Sequence, residues 1–179
     1  VTGVQTCALP IFFTLLGLAA CAATTTRVST TDSASTAPVF APLAADVDCT
    51  FTTPLPEGVP GSPGHLVTSP RNPNGDSELA LMMRRFVDDL STARALVEAG
   101  KPVAPMYPVH RRMRCAWPTK PEERNAAFDA RAQGYLNAVR MFDETPSQQT
   151  YNAIITNCIA CHSVSCGGVI EFISSMQWK

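Results

Sequence analysis

Through the second half of the chain, apolar residues return at every third or fourth position. Leu79, Met83, Phe86, Leu90, Ala93 and Val97 form the first such stripe, the spacing that stacks side chains on one face of an α-helix. Asp76 stands where an N-cap is expected, and Gly100 followed by Pro102 ends the pattern. A shorter helix is predicted from Tyr107-Pro108, presenting Val109, Met113 and Ala116 until Pro118 stops it. For the third, Thr119 and Glu122 have capping-box spacing with Pro121 in the first turn, and Phe128, Ala132, Tyr135, Val139 and Phe142 share a face. The fourth opens at Thr145-Pro146-Ser147-Gln148 with a cap, a proline at the first position and a matching Gln. Its stripe runs through Tyr151, Ile154, Ile155, Cys158, Cys161 and His162.

Four helices with short connections predict an all-α domain over residues 76–179, an antiparallel four-helix bundle running up, down, up and down. In that arrangement the start of the first helix and the end of the fourth share one end, so Met82 and Met83 come level with Cys161 and His162. Cys115 and Cys166 end helices that run parallel, which brings both to that end as well.

The first half is different. Most of the fifteen prolines lie before Pro121, and residues 22–75 read as a tether followed by a Pro/Gly-rich irregular segment, with at most a short strand near residues 47–51. The boundary of the helical domain falls near Gly75. Residues 12–21, FFTLLGLAAC, are an apolar run of signal-peptide length, too short to span a bilayer. Leu18-Ala19-Ala20-Cys21 resembles a bacterial lipobox, which makes Cys21 the expected lipidation site; a buried core helix is the alternative. Ala22 after the cysteine favours the outer membrane by the sorting pattern of bacteria with two membranes. Residues 1–11, VTGVQTCALPI, resemble the translation of a sequencing adapter, so Cys7 is set aside.

Composition narrows the chemistry little: 179 residues, a net charge near −1 and 45% hydrophobic residues suit one soluble domain and give no sign of a nucleic-acid partner. The sharper signal is Cys158-Ile159-Ala160-Cys161-His162. C-x-x-C-H is the spacing of c-type haem attachment: two thiols one helical turn apart form thioethers, and the adjacent imidazole reaches the iron. Cys158, Cys161, His162 and Cys166 are also four candidate zinc ligands, and a bare C-x-x-C can be a redox dithiol, though such motifs usually follow a strand. An export signal favours haem, which is attached outside the cytoplasm. Gly134, inside the third helix, costs about 1 kcal/mol relative to alanine. It marks either a tolerated defect or a close approach by haem or another helix.

A helical bundle with C-x-x-C-H on its last helix resembles the cytochrome c-prime and cytochrome c-556 group. Glu78-Leu-Ala-Leu-Met-Met-Arg84 and Cys166-Gly-Gly-Val-Ile170 further resemble a set of small bacterial lipoprotein cytochromes. The chain departs from the cytochrome c-prime pattern in the seventeen residues that follow His162, expected as an extra turn or short helix over the haem edge. The resemblance implies haem c as cofactor, Cys158 and Cys161 as its covalent attachment, His162 as proximal ligand and Met83 as distal ligand. Core filling is the competing role for Met82 and Met83. Without a methionine ligand the iron is five-coordinate and open to small gases. A bis-histidine site would draw on His110 or His65, which read more simply as exposed.

Outside the cytoplasm a disulfide is expected, and the bundle topology favours Cys115 with Cys166, Cys49 being able to replace either partner. Arg111, Arg112 and Arg114 with His110 read as a solvated basic face, or as one that pairs with propionates or steers an acidic partner. No acid/base pair or nucleophile constellation accompanies the motif, so the expected function is one-electron transfer rather than catalysis. Gas binding and a zinc-stabilised interaction domain are the alternatives. The expected setting is the periplasm, with a lipid anchor in the membrane, redox proteins as partners and homodimerisation as a further option.

Overall fold

The computed structural model describes residues 48–179. The adapter-like start, the signal segment with Cys21 and the first part of the expected tether lie outside the described residues. The described part is mostly helical, with one small antiparallel sheet of β1 (Val67–Ser69) and β2 (Asn72–Asp76). There follow α1 (Glu78–Glu98), α2 (Tyr107–His110) continued by a 3-10 turn Arg111–Cys115, a second 3-10 turn Pro121–Glu123, α3 (Ala126–Glu144), α4 (Gln148–Ser165), a third 3-10 turn Gly167–Val169 and α5 (Ile170–Ser175).

The apolar stripes face one another. Met82, Phe86, Leu90 and Ala93 of α1, Ala132, Tyr135, Val139 and Phe142 of α3, and Tyr151, Ile154 and Ile155 of α4 form one buried cluster. Helices α3 and α4 make the longest contact and run antiparallel, since Phe142 meets Tyr151 beside the connection while Gly134 meets Asn157 further along. A Cβ on Gly134 would stand 3.2 Å from Asn157 Oδ1, so the glycine marks a close approach of two helices.

Helix α2 starts at Tyr107, as expected, whereas the starts of the three long helices differ in detail from the expected ones, each for a local reason. Ser77, not Asp76, caps α1, its Oγ accepting from Ala80 N–H at 3.2 Å. Asp76 is engaged elsewhere, accepting two bonds from the Arg84 guanidinium and one from Asn72. Burial alone would raise its carboxyl, but Arg84, Asn72 and Ser69 outweigh that and hold it below its ordinary value. Asn125 caps α3, its Oδ1 accepting from both Ala127 and Phe128 N–H, and Thr119 and Glu122 stand before the helix around a 3-10 turn. Ser147 caps α4 in a reciprocal pair with Thr150, which leaves Pro146 outside the helix. The second expected helix is α-helical for one turn only and tightens to 3-10 before Cys115.

The larger correction concerns the segment before α1. Residues 48–75 are fastened to the helical part. Cys49 is bonded to Cys115, so the expected Cys115–Cys166 disulfide is replaced, and Cys166 is a free, exposed thiol. The reason lies in two arginines on the C-terminal side of the 3-10 turn. Arg114, 4% exposed, makes a two-pronged pair with Asp129 on α3 and reaches Asp48 with its third nitrogen. Arg124 donates to the carbonyls of Thr50, Phe51 and Thr53. Together they draw residues 48–53 onto the turn that carries Cys115. Trp117 Nε1–H donates to Pro56 O at 2.7 Å, and Glu78 N–H donates to Gly61 O. Gly61 has φ +88, and a Cβ there would lie 2.3 Å from Glu78 N, so glycine is required. Cys49 lies in no strand; the two strands form later, at 67–76.

His110 corrects the reading of an exposed basic face. It is fully buried, stacked on Phe86 with ring centroids 3.9 Å apart. Burial pushes its imidazole below the ordinary 6.5, with Asp89 opposing.

Two outcomes follow for stability. Asp129→Asn leaves the buried Arg114 charge without its two-pronged partner, and the free energy of unfolding in urea should fall by about 3 kcal/mol. Because unfolded His110 binds its proton at higher pH than folded His110, its contribution is present above pH 6.5 and is lost as pH falls from there through the folded value. His162 is lowered in the same direction and adds to this. Urea midpoints should therefore decline below about pH 6.5, with a shallower decline in His110→Gln.

Candidate functional site

The stripe that packs α4 into the core continues past the core. Tyr151, Ile154 and Ile155 are fully buried, and one and two turns further on the same face carries Cys158, Cys161 and His162, each partly buried. What faces them is a cavity of about 290 Å³. Met83, Phe86 and Leu90 of α1, Tyr135 of α3 and Ile155 of α4 wall it, and the tail after α4 closes it with Val169, Phe172, Ile173 and Met176. The expected short helix beyond His162 is thus α5, and it forms a wall of the site. A second cavity, also about 290 Å³, shares Met83, Arg84, Cys161, His162 and Val169 with the first.

These two cavities meet at Met83 and His162, residues of different helices. Met83 lines both, whereas Met82 belongs to the buried core. The two methionines divide as an α-helix divides neighbours, about 100° apart around its axis. His162 Nδ1 is buried and has no hydrogen-bond partner. Buried polar atoms are nearly always paired, and the imidazole ring that carries this unpaired nitrogen lines both cavities. Burial keeps the imidazole below its ordinary value, hence neutral at pH 7, the form that binds metals.

Burial also pushes the Cys158 thiol up to about 12 and raises Cys161. Neither is the exposed, electropositive thiol of a redox dithiol. Cys166 lines the second cavity, but among the described residues no three His, Cys, Asp or Glu side chains gather as a metal cluster. The four candidate zinc ligands are therefore not convergent.

Among the cations, Arg114 is spent on Asp129 and Asp48, away from the cavity. The two that line the first cavity are Arg84, one residue after Met83, and Arg71, in the β1–β2 turn. Arg84 stood at the edge of a motif already singled out; Arg71 had no signal, because nothing in the sequence shows that the hairpin folds against α1. His65 lines neither cavity, and both ring nitrogens of His110 are engaged, Nδ1 with Tyr135 Oη at 2.7 Å and Nε2 with Asp89 Oδ2 at 3.3 Å. A bis-histidine site has no second histidine here.

The three free thiols should differ in reactivity. With limiting alkylating reagent, Cys166 should be labelled first and Cys158 last, by well over tenfold in rate, as read by peptide mass spectrometry. Set against protein-family models, curated proteins and solved structures, the chain matches none, and the site stands on its own geometry.

Proposed function

We propose that this chain is an exported, lipid-anchored monohaem c-type cytochrome that passes single electrons between partner proteins. One observation carries the reading: Cys158, Cys161 and His162, at C-x-x-C-H spacing, line an apolar cavity together with Met83 from another helix; His162 Nδ1, besides, is buried without a hydrogen-bond partner. In this reading Cys158 and Cys161 hold haem through thioethers, His162 is one iron ligand and Met83 the other. Arg71 is the cation on the cavity wall placed to meet its carboxylates, since Arg84 is paired with Asp76. When bound, haem supplies the one-electron chemistry. The chain's own part is to orient and to exclude water. Phe86, Leu90, Ile155 and Ile173 keep the surroundings apolar, which disfavours extra positive charge and raises the potential.

The architecture that goes with this reading is an antiparallel four-helix bundle of α1, α2 with its 3-10 extension, α3 and α4, with the haem attached near the C-terminal end. Lipidation at Cys21, a periplasmic location and redox proteins as partners complete the proposal. Among the described residues no helix is long and apolar enough to cross a membrane. A five-coordinate, gas-binding iron is the second reading, supported by the same apolar lining; it differs in giving Met83 no bond to iron.

The test is the optical spectrum of the chain produced with a c-type haem maturation system. The expected result is an intense Soret band, sharp reduced bands unaltered by carbon monoxide, and a mass increase of one haem that Cys158→Ala with Cys161→Ala abolishes. Met83→Ala should open the reduced form to carbon monoxide. A wild-type spectrum that already shifts with carbon monoxide transfers the proposal to gas binding. Absence of a Soret band with stoichiometric zinc overturns both.

A further inference from the structure

One fully buried titratable group has no part in holding a cofactor. His110 lies behind the cavity wall, and each of its surroundings bears on its charge. Phe86 lines the cavity and also stacks on the His110 ring, centroids 3.9 Å apart and planes within 21°. Tyr135, another wall residue, holds its ring parallel to the imidazole within 4° and bonds Nδ1. On the far nitrogen, Nε2 meets Asp89 Oδ2, and the Asp89 side chain is 29% exposed. Asp89 therefore joins a solvent-reachable carboxylate to an imidazole that is separated from the cavity by one aromatic ring.

We propose that His110 takes up a proton when the cavity's cofactor gains an electron, so that reduction is a one-electron, one-proton event with Asp89, His110 and Tyr135 as its proton site. The inference rests on the haem reading above. The electron comes from a one-electron donor protein and the proton from water. Before uptake, Nε2–H donates to Asp89 and Nδ1 accepts from the Tyr135 hydroxyl. Afterwards the imidazolium donates at both nitrogens, and the Tyr135 oxygen turns from donor to acceptor. No covalent bond other than N–H forms.

The charges around His110 are arranged for this. From α1, Asp89 favours the imidazolium and Arg85 opposes it; from α3, Asp143 favours it. The Phe86 face gives the cation a further favourable contact. Burial, with Arg85, opposes the imidazolium and keeps the resting imidazole neutral. A group held between opposing influences responds to one more charge nearby. Coupling is reciprocal: an electron that raises the proton affinity of His110 on the order of tenfold is itself held on the order of tenfold more tightly once the proton is bound. Asp89, His110 and Tyr135 act through this charge and are positioning residues.

Spectroelectrochemical titration of the haem-loaded chain across pH tests it. The reduction equilibrium constant should fall as pH rises through a window beginning below about pH 6.5, at up to tenfold per pH unit, and nuclear magnetic resonance should report a higher His110 pKa in the reduced than in the oxidised form. Asp89→Asn, at a part-exposed position, should move the window to lower pH; His110→Gln should flatten it. A wild-type potential independent of pH, or a slope that persists unchanged in both variants, overturns the proposal while leaving the haem reading intact. A chain with no Soret band overturns the haem reading itself, and this with it.

Discussion

The rotation of α4 about its own axis is the constraint on which the site depends. Ile154 and Ile155 are fully buried between α1 and α3, with Tyr151 a turn before them. Each such side chain contributes about 1.5–3 kcal/mol by leaving water, so a rotation of α4 that exposed them would forfeit much of the domain's stability. Because Cys158, Cys161 and His162 lie three, six and seven residues beyond Ile155, the same rotation aims them inward. The core half of the helix thereby orients the cavity half, and the close approach at Gly134 and Asn157 sets how near α3 stands while it does so.

A second layer holds the frame from outside the helices. The Cys49–Cys115 bond closes a loop of 66 residues that contains the hairpin, all of α1 and α2. Arg114 and Arg124 fasten the same segment by charge and by backbone hydrogen bonds. Pairing a buried guanidinium with the largely buried Asp129 is a costly way to gain stability, since both groups lose water. What it gains is register: α1, capped by Ser77, begins at Glu78 against Gly61, with Trp117 tied to Pro56, and Met83 then falls at the cavity. Arg84, bonded to Asp76, ties the hairpin to that same turn of α1.

His110 shows why a run of basic residues was misread. In sequence, His110 with Arg111, Arg112 and Arg114 looks like a solvated face. In the fold, α2 gives way to a 3-10 turn with three residues per turn rather than 3.6, and His110, Met113 and Arg114 turn inward. Their burial is tolerable because partners from α1, α3 and the segment near Asp48 are waiting. None of those partners is adjacent in sequence, so no local pattern could reveal them.

The existence of the three long helices, their buried faces and the alignment of Cys158, Cys161 and His162 were legible in the chain, because an α-helix repeats every 3.6 residues and its apolar stripe must be buried; their exact starts were not, since the caps depend on local hydrogen bonds. Topology brought Met82 and Met83 alike level with His162, since short connections force neighbouring helices to run antiparallel; that Met83 lines the cavity while Met82 is buried in the core was decided by the fold. The partner of Cys115, the burial of His110 and Arg114, and the approach of Arg71 and α5 to the cavity were decided by tertiary structure. Those depend on where an irregular segment and a short tail fold back across the helices, and that path is set by long-range ion pairs, backbone hydrogen bonds and one disulfide, which leave no periodic trace in the order of residues.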